Sequence, residues 1–362
     1  MKYKIKKVLK IKNFFLVFIF YGDLFSKPIG LKNLGNSCYM NSVLQVLAHT
    51  DDFKEYFLKN NFKEGSKPLS IALNNFLKEY FKNKDNNYFV PEKLHNAIQQ
   101  QYKTKSNTNM NFANSNQHDP EEFLTFFLDS LETENNKLET ENNKWNNIFK
   151  GEETIFDTCK NCKAESQKEN EIIFWCLGIK DDDLEKIESH EMEEDCCNCC
   201  DCCCVYYKTA LEKLLDNYYT KEEEIKANCE SCNNNTNRRR TTKISFLPKY
   251  LILQFKIYNH HSVFIKIPKE LNLKKYCTEQ NNVNFDYTLY GIVRHHGNKF
   301  SGHYTAAIKE ENDWYICDDK TVEKVINPFL DSGICSRRLS PPGTYLLFYK
   351  GKKENENLFP EE

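Results

Sequence analysis

The sequence predicts an α+β fold, with helices first and strands after. Three observations carry this. Between residues 37 and 150 apolar residues recur at helical spacing. From Tyr250 onward the pattern becomes short alternating runs, rich in β-branched and aromatic residues. Between the two lie a pair of Cys-x-x-Cys motifs with β-type flanks. Helices followed by strands place the chain in the α+β class.

The helical part reads as follows. Ser37 stands at an expected N-cap, and Tyr39, Met40, Val43, Leu44 and Leu47 keep helical spacing behind it. Ile71, Leu73, Phe76, Leu77 and Phe81 form a second stripe. Phe123, Leu124, Phe127, Leu128 and Leu131 form a third, opened by Asp119-Pro120-Glu121-Glu122. Proline and acids suit a helix's first turn. The heptapeptide LETENNK then occurs twice in tandem, over 131–137 and 138–144. One duplication is too short for a solenoid or coiled coil, so it reads as an extension of a solvated helix or a loop. Two Asn-rich stretches, Asn107–Asn116 and Asn233–Asn237, read as loops.

The middle segment has β-type flanks at 171–177 and 241–246. Strands are then expected over 251–258, 264–267, 287–294, 304–309, 314–317 and 344–349, with turn residues between them.

Composition narrows the function. A length of 362 residues gives about two domains, or one large domain with an insertion. With 26 Phe and 20 Tyr the chain is not a disordered one. Lys+Arg total 50 against 52 Asp+Glu, which excludes nucleic-acid binding through bulk positive charge. No apolar run reaches ~18 residues, so no ordinary membrane-spanning helix is expected. Residues 1–27 begin with six lysines in twelve positions, followed by the apolar run Phe14–Tyr21. This is the outline of a signal peptide, but no small-x-small cleavage site follows. The segment is read as an upstream extension or a surface-packed piece.

Cysteine is over-represented, at sixteen residues. Seven of them crowd into Cys196–Cys204, while Cys159/Cys162 and Cys229/Cys232 form the two spaced pairs. This is not the even framework of a small secreted domain. Four cysteines in two spaced pairs are the ligand set of a structural zinc site in a reducing compartment. The Cys196–Cys204 cluster has no interleaved histidine and reads as a biased-composition insert, with a thiolate-rich metal or redox cluster as the alternative.

Cys38 lies in the first turn of the first expected helix, where the helix dipole favours an anion and a thiolate. Gly30 and Gly35 precede it and would let the backbone turn tightly and expose the thiol. A nucleophilic thiol needs a base and an orienting group. His303, in Ser301-Gly302-His303-Tyr304, opens a strand after a polar loop over 294–301. A hairpin through 309–313 would return Asp318 to the starting end of that strand, where a carboxylate can fix the imidazole's tautomer. Together these make a Cys-His-Asp set in the order of papain.

The residues here resemble a known family. Residues 30–45 (GLKNLGNSCYMNSVLQ) are similar to the Cys box of the ubiquitin-specific proteases. Residues 117–123 (QHDPEEF) resemble that family's next box. Gly302-His303-Tyr304, Trp314 and Asp318-Asp319 resemble its His box, and residues 247–255 (LPKYLILQF) the segment entering its palm. Ser37 stands for a usual threonine, Pro120 for a small residue, and Gln254-Phe255-Lys256 for a basic pair.

The resemblance implies a papain-like core with a helical thumb (about 28–150), zinc-bearing β fingers (about 151–250) and a β palm (about 251–350). These make one catalytic domain over 28–353, followed by an acidic tail. It implies a thiol isopeptidase that cleaves after ubiquitin's C-terminal Gly-Gly. Cys38 would be the nucleophile, His303 the base and Asp318 its orienter. Asn33 would serve the oxyanion hole and Asp319 would be a supporting acid. Gln117, Asp119, His296, Gly297, Gly302 and Tyr304 would meet the ubiquitin tail. Cys159, Cys162, Cys229 and Cys232 would hold one structural zinc, with no organic cofactor. Ubiquitin and its conjugates are the expected partners of a monomer in cytoplasm or nucleus. The alternatives are an isopeptidase for another ubiquitin-like modifier and a silent ubiquitin-binding scaffold.

Overall fold

The computed structural model describes residues 27–60, 62, 67–82, 87–104, 116–135, 148–187, 207–257, 263–278, 285–298, 301–328 and 343–352. The basic and apolar run, nearly all of the Asn107–Asn116 stretch, residues 136–144 of the tandem repeat, the Cys196–Cys204 cluster and the acidic tail lie outside the described residues.

The elements are, in order, β1 (Gly30–Leu31), α1 (Cys38–Ala48), α2 (Asp51–Lys59), α3 (Pro68–Lys82), β2 (Tyr88–Phe89), α4 (Glu92–Thr104) and α5 (Pro120–Asn135). Next come β3 (Gly151–Cys159), β4 (Glu165–Ile172), β5 (Phe174–Gly178), β6 (Glu185–Lys186), β7 (Tyr207–Ala210), α6 (Leu211–Tyr219), β8 (Glu223–Cys229) and β9 (Asn234–Phe246). The last are β10 (Tyr250–Lys256), β11 (Val263–Lys266), β12 (Glu270–Asn272), β13 (Asp286–Asn298), β14 (Ser301–Glu310), β15 (Asp313–Asp318), β16 (Thr321–Val325) and β17 (Thr344–Gly351). The α+β class and the three expected helices are present. The chain falls into two compact units, one of residues 1–138 with 307–326 and one of residues 139–306 with 327–362.

The first unit is built around α1, all eleven residues of which are buried. Its aromatic contact with α5 is edge-on, Tyr39 to Phe123, with ring centroids 5.6 Å apart. Burying each large apolar side chain contributes roughly 1.5–3 kcal/mol, so this interior dominates the unit's stability. β15 and β16 form a hairpin that pairs Asp318 with Thr321. β15 lies against α1, and β16 lies against β1. Gln45 of α1 fastens the segment entering β1. Its Nε2 donates to the Ile29 carbonyl at 2.7 Å, and its Oε1 accepts the Tyr80 hydroxyl at 2.7 Å. That hydroxyl in turn accepts the Ile29 N–H at 3.2 Å.

The second unit is mostly sheet. One antiparallel sheet has the order β4-β3-β9-β8. β13, β17, β10 and β5 are neighbours in that order, with β10 and β5 parallel and β12 alongside β13. A small sheet runs β11-β7-β6. α6 packs on β5, β7 and β9 through Leu211, Leu214, Leu215 and Tyr219, all buried at helical spacing. Asn234–Asn237, expected as a loop, instead begin β9, because β8 pairs with them from Cys229↔Asn234 onward. Asn233 alone turns, at φ 50°.

α3 shows how the first unit closes. Its chain enters through Lys67 and Pro68, which offer no side-chain acceptor for the first-turn N–H groups. Glu134 of α5 supplies one. Its carboxylate accepts the N–H of Leu69 at 3.0 Å and of Ser70 at 2.8 Å, and the Ser70 hydroxyl at 2.8 Å. All three residues are buried. Glu134→Ala leaves those donors without a partner and is expected to cost about 2–3 kcal/mol. The measurement is chemical denaturation; a change under ~0.5 kcal/mol would show that the contact contributes little.

Candidate active site

The loop before α1 is organised by one carboxamide. Asn33 Oδ1 accepts the backbone N–H of Gly35 at 3.0 Å and of Ser37 at 3.1 Å. Two backbone donors on one atom identify it as the oxygen, so Nδ2 must point the other way. Gly35 takes φ 100° and Asn36 φ 52°, two successive left-handed residues that turn the chain sharply into α1. Gly35 is the residue type this conformation favours.

Two expectations about this loop change. Ser37 occupies the N-cap position but its hydroxyl does not cap the helix. With φ −93° and ψ 14° it is outside the extended region a capping residue uses, and its Oγ accepts the Leu34 N–H at 2.8 Å instead. Cys38, expected to be exposed, is only 2% exposed, because it opens a helix whose every residue is buried. Its backbone N–H belongs to the helix's first turn, where no intrahelical acceptor exists.

Asn33 Nδ2 donates to Asp319 Oδ2 at 2.9 Å. The other carboxylate oxygen, Oδ1, accepts Asn41 Nδ2 at 2.8 Å. Asp319 sits in the β15–β16 turn with φ 44°, and its carbonyl accepts the Leu31 N–H at 2.6 Å. Gly30 is required beside it, since a Cβ there would meet the Lys320 carbonyl oxygen at 2.1 Å. The first unit thus brings Asn33, Cys38 and Asp319 onto one framework. Asp318 ends β15 and is exposed.

Asn41 was missed from sequence. The signal was a polar residue three positions after Cys38, among the apolar Tyr39, Met40, Val43 and Leu44. Asn41 is 2% exposed, and such burial of a carboxamide calls for specific hydrogen bonds.

Asp119 caps α5, its Oδ1 accepting the N–H of Glu121 at 2.7 Å and of Glu122 at 3.4 Å. Gln117 is exposed, and His118 packs edge-on against Tyr39 at 5.4 Å.

In the second unit His303 is the third residue of β14 and half-buried. The polar loop expected over 294–301 is strand as far as Asn298, so His296 and Gly297 belong to β13. His296 Nε2 lies 2.9 Å from Thr305 Oγ1. Gly297, at φ 140°, approaches the next strand so closely that a Cβ would meet the Ser301 carbonyl oxygen at 2.4 Å. Gly302 leaves space for the His295 ring, whose Nε2 would lie 2.1 Å from a Cβ. Tyr304 is 7% exposed and its ring packs on His295 and Tyr345, which is a core position rather than a substrate-facing one.

The four spaced cysteines converge in the β4-β3-β9-β8 sheet. Each pair sits on a tight hairpin, one closed by Lys163 N–H to Cys159 O at 3.0 Å, the other by Asn233 N–H to Glu230 O at 3.2 Å. The four sulfurs lie within 4.8 Å of one another. Cys159 and Cys232 are 3.9 Å apart and Cys162 and Cys229 3.6 Å, too far for a disulfide at ~2.05 Å. Those separations do match a tetrahedral ion with ~2.3 Å bonds to sulfur, whose ligand atoms stand about 3.8 Å apart. The Thr236 hydroxyl, 3.3 Å from Cys159 Sγ, and the Cys162 backbone N–H draw the Cys159 thiol down to about 6. These four residues therefore fit a zinc ion.

Comparison with known proteins places the chain in a family. A family model described as ubiquitin carboxyl-terminal hydrolase matches residues 29–349. The chain is 26% identical over 353 residues to ubiquitin carboxyl-terminal hydrolase Usp2 of Drosophila melanogaster, covering 89% of this chain and 34% of that protein. It is 25% identical over 373 residues to ubiquitin carboxyl-terminal hydrolase 5 of Saccharomyces cerevisiae, covering 89% and 44%. The chain therefore spans about a third to a half of the length of these relatives. Among solved structures it resembles the SAGA DUB module containing Ubp8, bound in one case to ubiquitin aldehyde and in another to monoubiquitin. The TM-scores are 0.65 and 0.66, at 23% and 25% identity, covering 90% of this chain and 70% and 69% of those. With the family model running from just before β1 into β17, the chain belongs to the ubiquitin carboxyl-terminal hydrolase family.

Proposed function

We propose that this chain is a thiol isopeptidase that hydrolyses the bond after the C-terminal Gly-Gly of ubiquitin. The observation that carries the reading is the placement of a thiol at the N-terminus of α1, directly after a loop organised by the oriented carboxamide of Asn33. Family membership supports it, as does the ubiquitin aldehyde bound to the similar SAGA DUB module.

In this reading His303 takes the Cys38 proton and the thiolate attacks the glycine carbonyl carbon. Asp318 holds the imidazole's tautomer and steadies the imidazolium. Negative charge then develops on the carbonyl oxygen. The Cys38 backbone N–H and one amide hydrogen of Asn33 receive it, the other amide hydrogen being held by Asp319. Collapse breaks the carbon–nitrogen bond, and the imidazolium protonates the departing lysine amine. Water, deprotonated by His303, attacks the thioester and releases ubiquitin's carboxylate and the Cys38 thiol. Gln117 and Asp119, before and at the start of α5, are proposed to face the ubiquitin tail.

Cys159, Cys162, Cys229 and Cys232 would hold a structural ion that pins the two hairpins of the β4-β3-β9-β8 sheet together. Its chemistry is structural, and no step of hydrolysis passes through it.

The direct test uses ubiquitin with a fluorogenic C-terminal leaving group. Wild type is expected to turn over, Cys38→Ala to be inactive, and Asn33→Ala to lose about 10²–10³ in kcat. Silence of the folded wild type would point to a ubiquitin-binding scaffold or to another ubiquitin-like modifier. Ubiquitin binding to Cys38→Ala would then separate those two.

Substitution of one cysteine tests the zinc site. Cys159→Ser is expected to lower the melting temperature, the zinc content and ubiquitin affinity while leaving alkylation of Cys38 by a small electrophile intact. Unchanged melting with unchanged zinc content would sink it.

A further inference from the structure

We propose that Asn41 is a positioning residue for the oxyanion donor, acting on Asn33 through Asp319. The inference rests on the isopeptidase reading for its catalytic consequence, but the geometry stands by itself.

The Asn41 carboxamide is oriented by what surrounds it. Its Nδ2 faces two acceptors, Asp319 Oδ1 at 2.8 Å and the Leu31 carbonyl at 3.2 Å. Neither can donate a hydrogen, so the NH2 end must lie there. The far end, Asn41 Oδ1, is buried with no hydrogen-bond partner among the described residues. A residue kept only to fill this volume would be apolar and would avoid that penalty. What a carboxamide offers here that leucine does not is two N–H donors, both directed at the junction of β1 and the β15–β16 turn.

The effect on Asn33 follows from the carboxylate. A carboxylate held on one oxygen only can rotate about its Cβ–Cγ bond. Asp319 is held on both, by Asn41 on Oδ1 and by Asn33 on Oδ2. Its backbone is fixed as well, through the Leu31 N–H to the Asp319 carbonyl at 2.6 Å. Asn33 is then gripped at its oxygen by two backbone N–H groups and at its nitrogen by an immobilised carboxylate. Its remaining amide hydrogen has one direction open to it. Preorganisation of this kind is what makes an oxyanion donor effective, because nothing must reorient as charge develops. Without Asn41 the carboxylate gains rotational freedom and Asn33 loses its fixed direction.

The test is a kinetic double-mutant cycle on the full chain, using Asn41→Leu, which keeps the branched heavy-atom skeleton and removes the donors, and Asn33→Ala. With the fluorogenic ubiquitin substrate, Asn41→Leu is expected to lower kcat at least tenfold with KM changed less than twofold. On the Asn33→Ala background the same substitution is expected to change kcat less than twofold. An equal loss on both backgrounds, or no loss on either, would overturn the proposal. A second arm does not depend on turnover. The Asn33 side-chain amide signals, assigned by their absence in Asn33→Ala, are expected to exchange with solvent faster in Asn41→Leu than in wild type. Unchanged exchange in a folded Asn41→Leu would overturn the proposal even if the enzyme proved inactive on ubiquitin. Inactivity of wild type with accelerated exchange in the variant would reject the isopeptidase reading and keep the positioning. Asn41→Ala, which leaves a small space, serves if the leucine variant does not fold.

Discussion

The arrangement around Cys38 hangs on one carboxylate. Asp319 joins a loop, a helix and a late hairpin, since it holds Asn33 before α1, Asn41 within α1 and Leu31 in β1. Asn33 and Asn41 are neutral donors to the carboxylate, whose charge is spread over these two charge-assisted hydrogen bonds, while Leu31 donates to the backbone carbonyl. The backbone meets a cost to allow this: Asp319 is left-handed at φ 44°, and Gly30 must lack a side chain. Unusual backbone in a place with so many independent restraints is what a functional site is expected to show.

Much of this could be seen in the sequence, and the misses have physical causes. α1, α3 and α5 were legible because each presents an apolar stripe at the helical period. α6 carries the same signal in Leu211, Leu214, Leu215 and Tyr219, but it lies just after a cysteine-rich stretch whose composition obscures it. β4, with the sequence ESQKENEI, has almost no apolar residue to alternate; it is a strand because β3 pairs with it from Gly151↔Ile172 to Thr158↔Glu165. Pairing across a sheet is a tertiary fact that local pattern does not encode. For the same reason β13 runs past Arg294 through polar residues to Asn298.

Within the site, residue types were legible and orientations were not. Asn33 and Asp319 could be named from the motifs they belong to. That the amide oxygen of Asn33 turns inward to hold Gly35 and Ser37, leaving its nitrogen for Asp319, needs coordinates. Asn41 lay inside the same motif and drew no attention, because a polar residue in a helix is usually solvated. The four zinc-type cysteines were the easiest to read, because a Cys-x-x-Cys spacing on a tight turn leaves few other geometries.

The Asn33–Asp319 bond spans 286 residues of sequence. Ribosomes add roughly 5–20 residues each second, so about 15–60 s separate the two partners during synthesis. During that interval the segment that becomes α1 has been made without its carboxylate partner, and the Asn33 amide nitrogen lacks the acceptor it has in the folded chain. A nascent chain of this kind carries its cysteine early and its site late. The acceptor that orients Asn33 is therefore one of the later parts of this arrangement to be synthesised, and the arrangement is assembled only once the β15–β16 hairpin has formed.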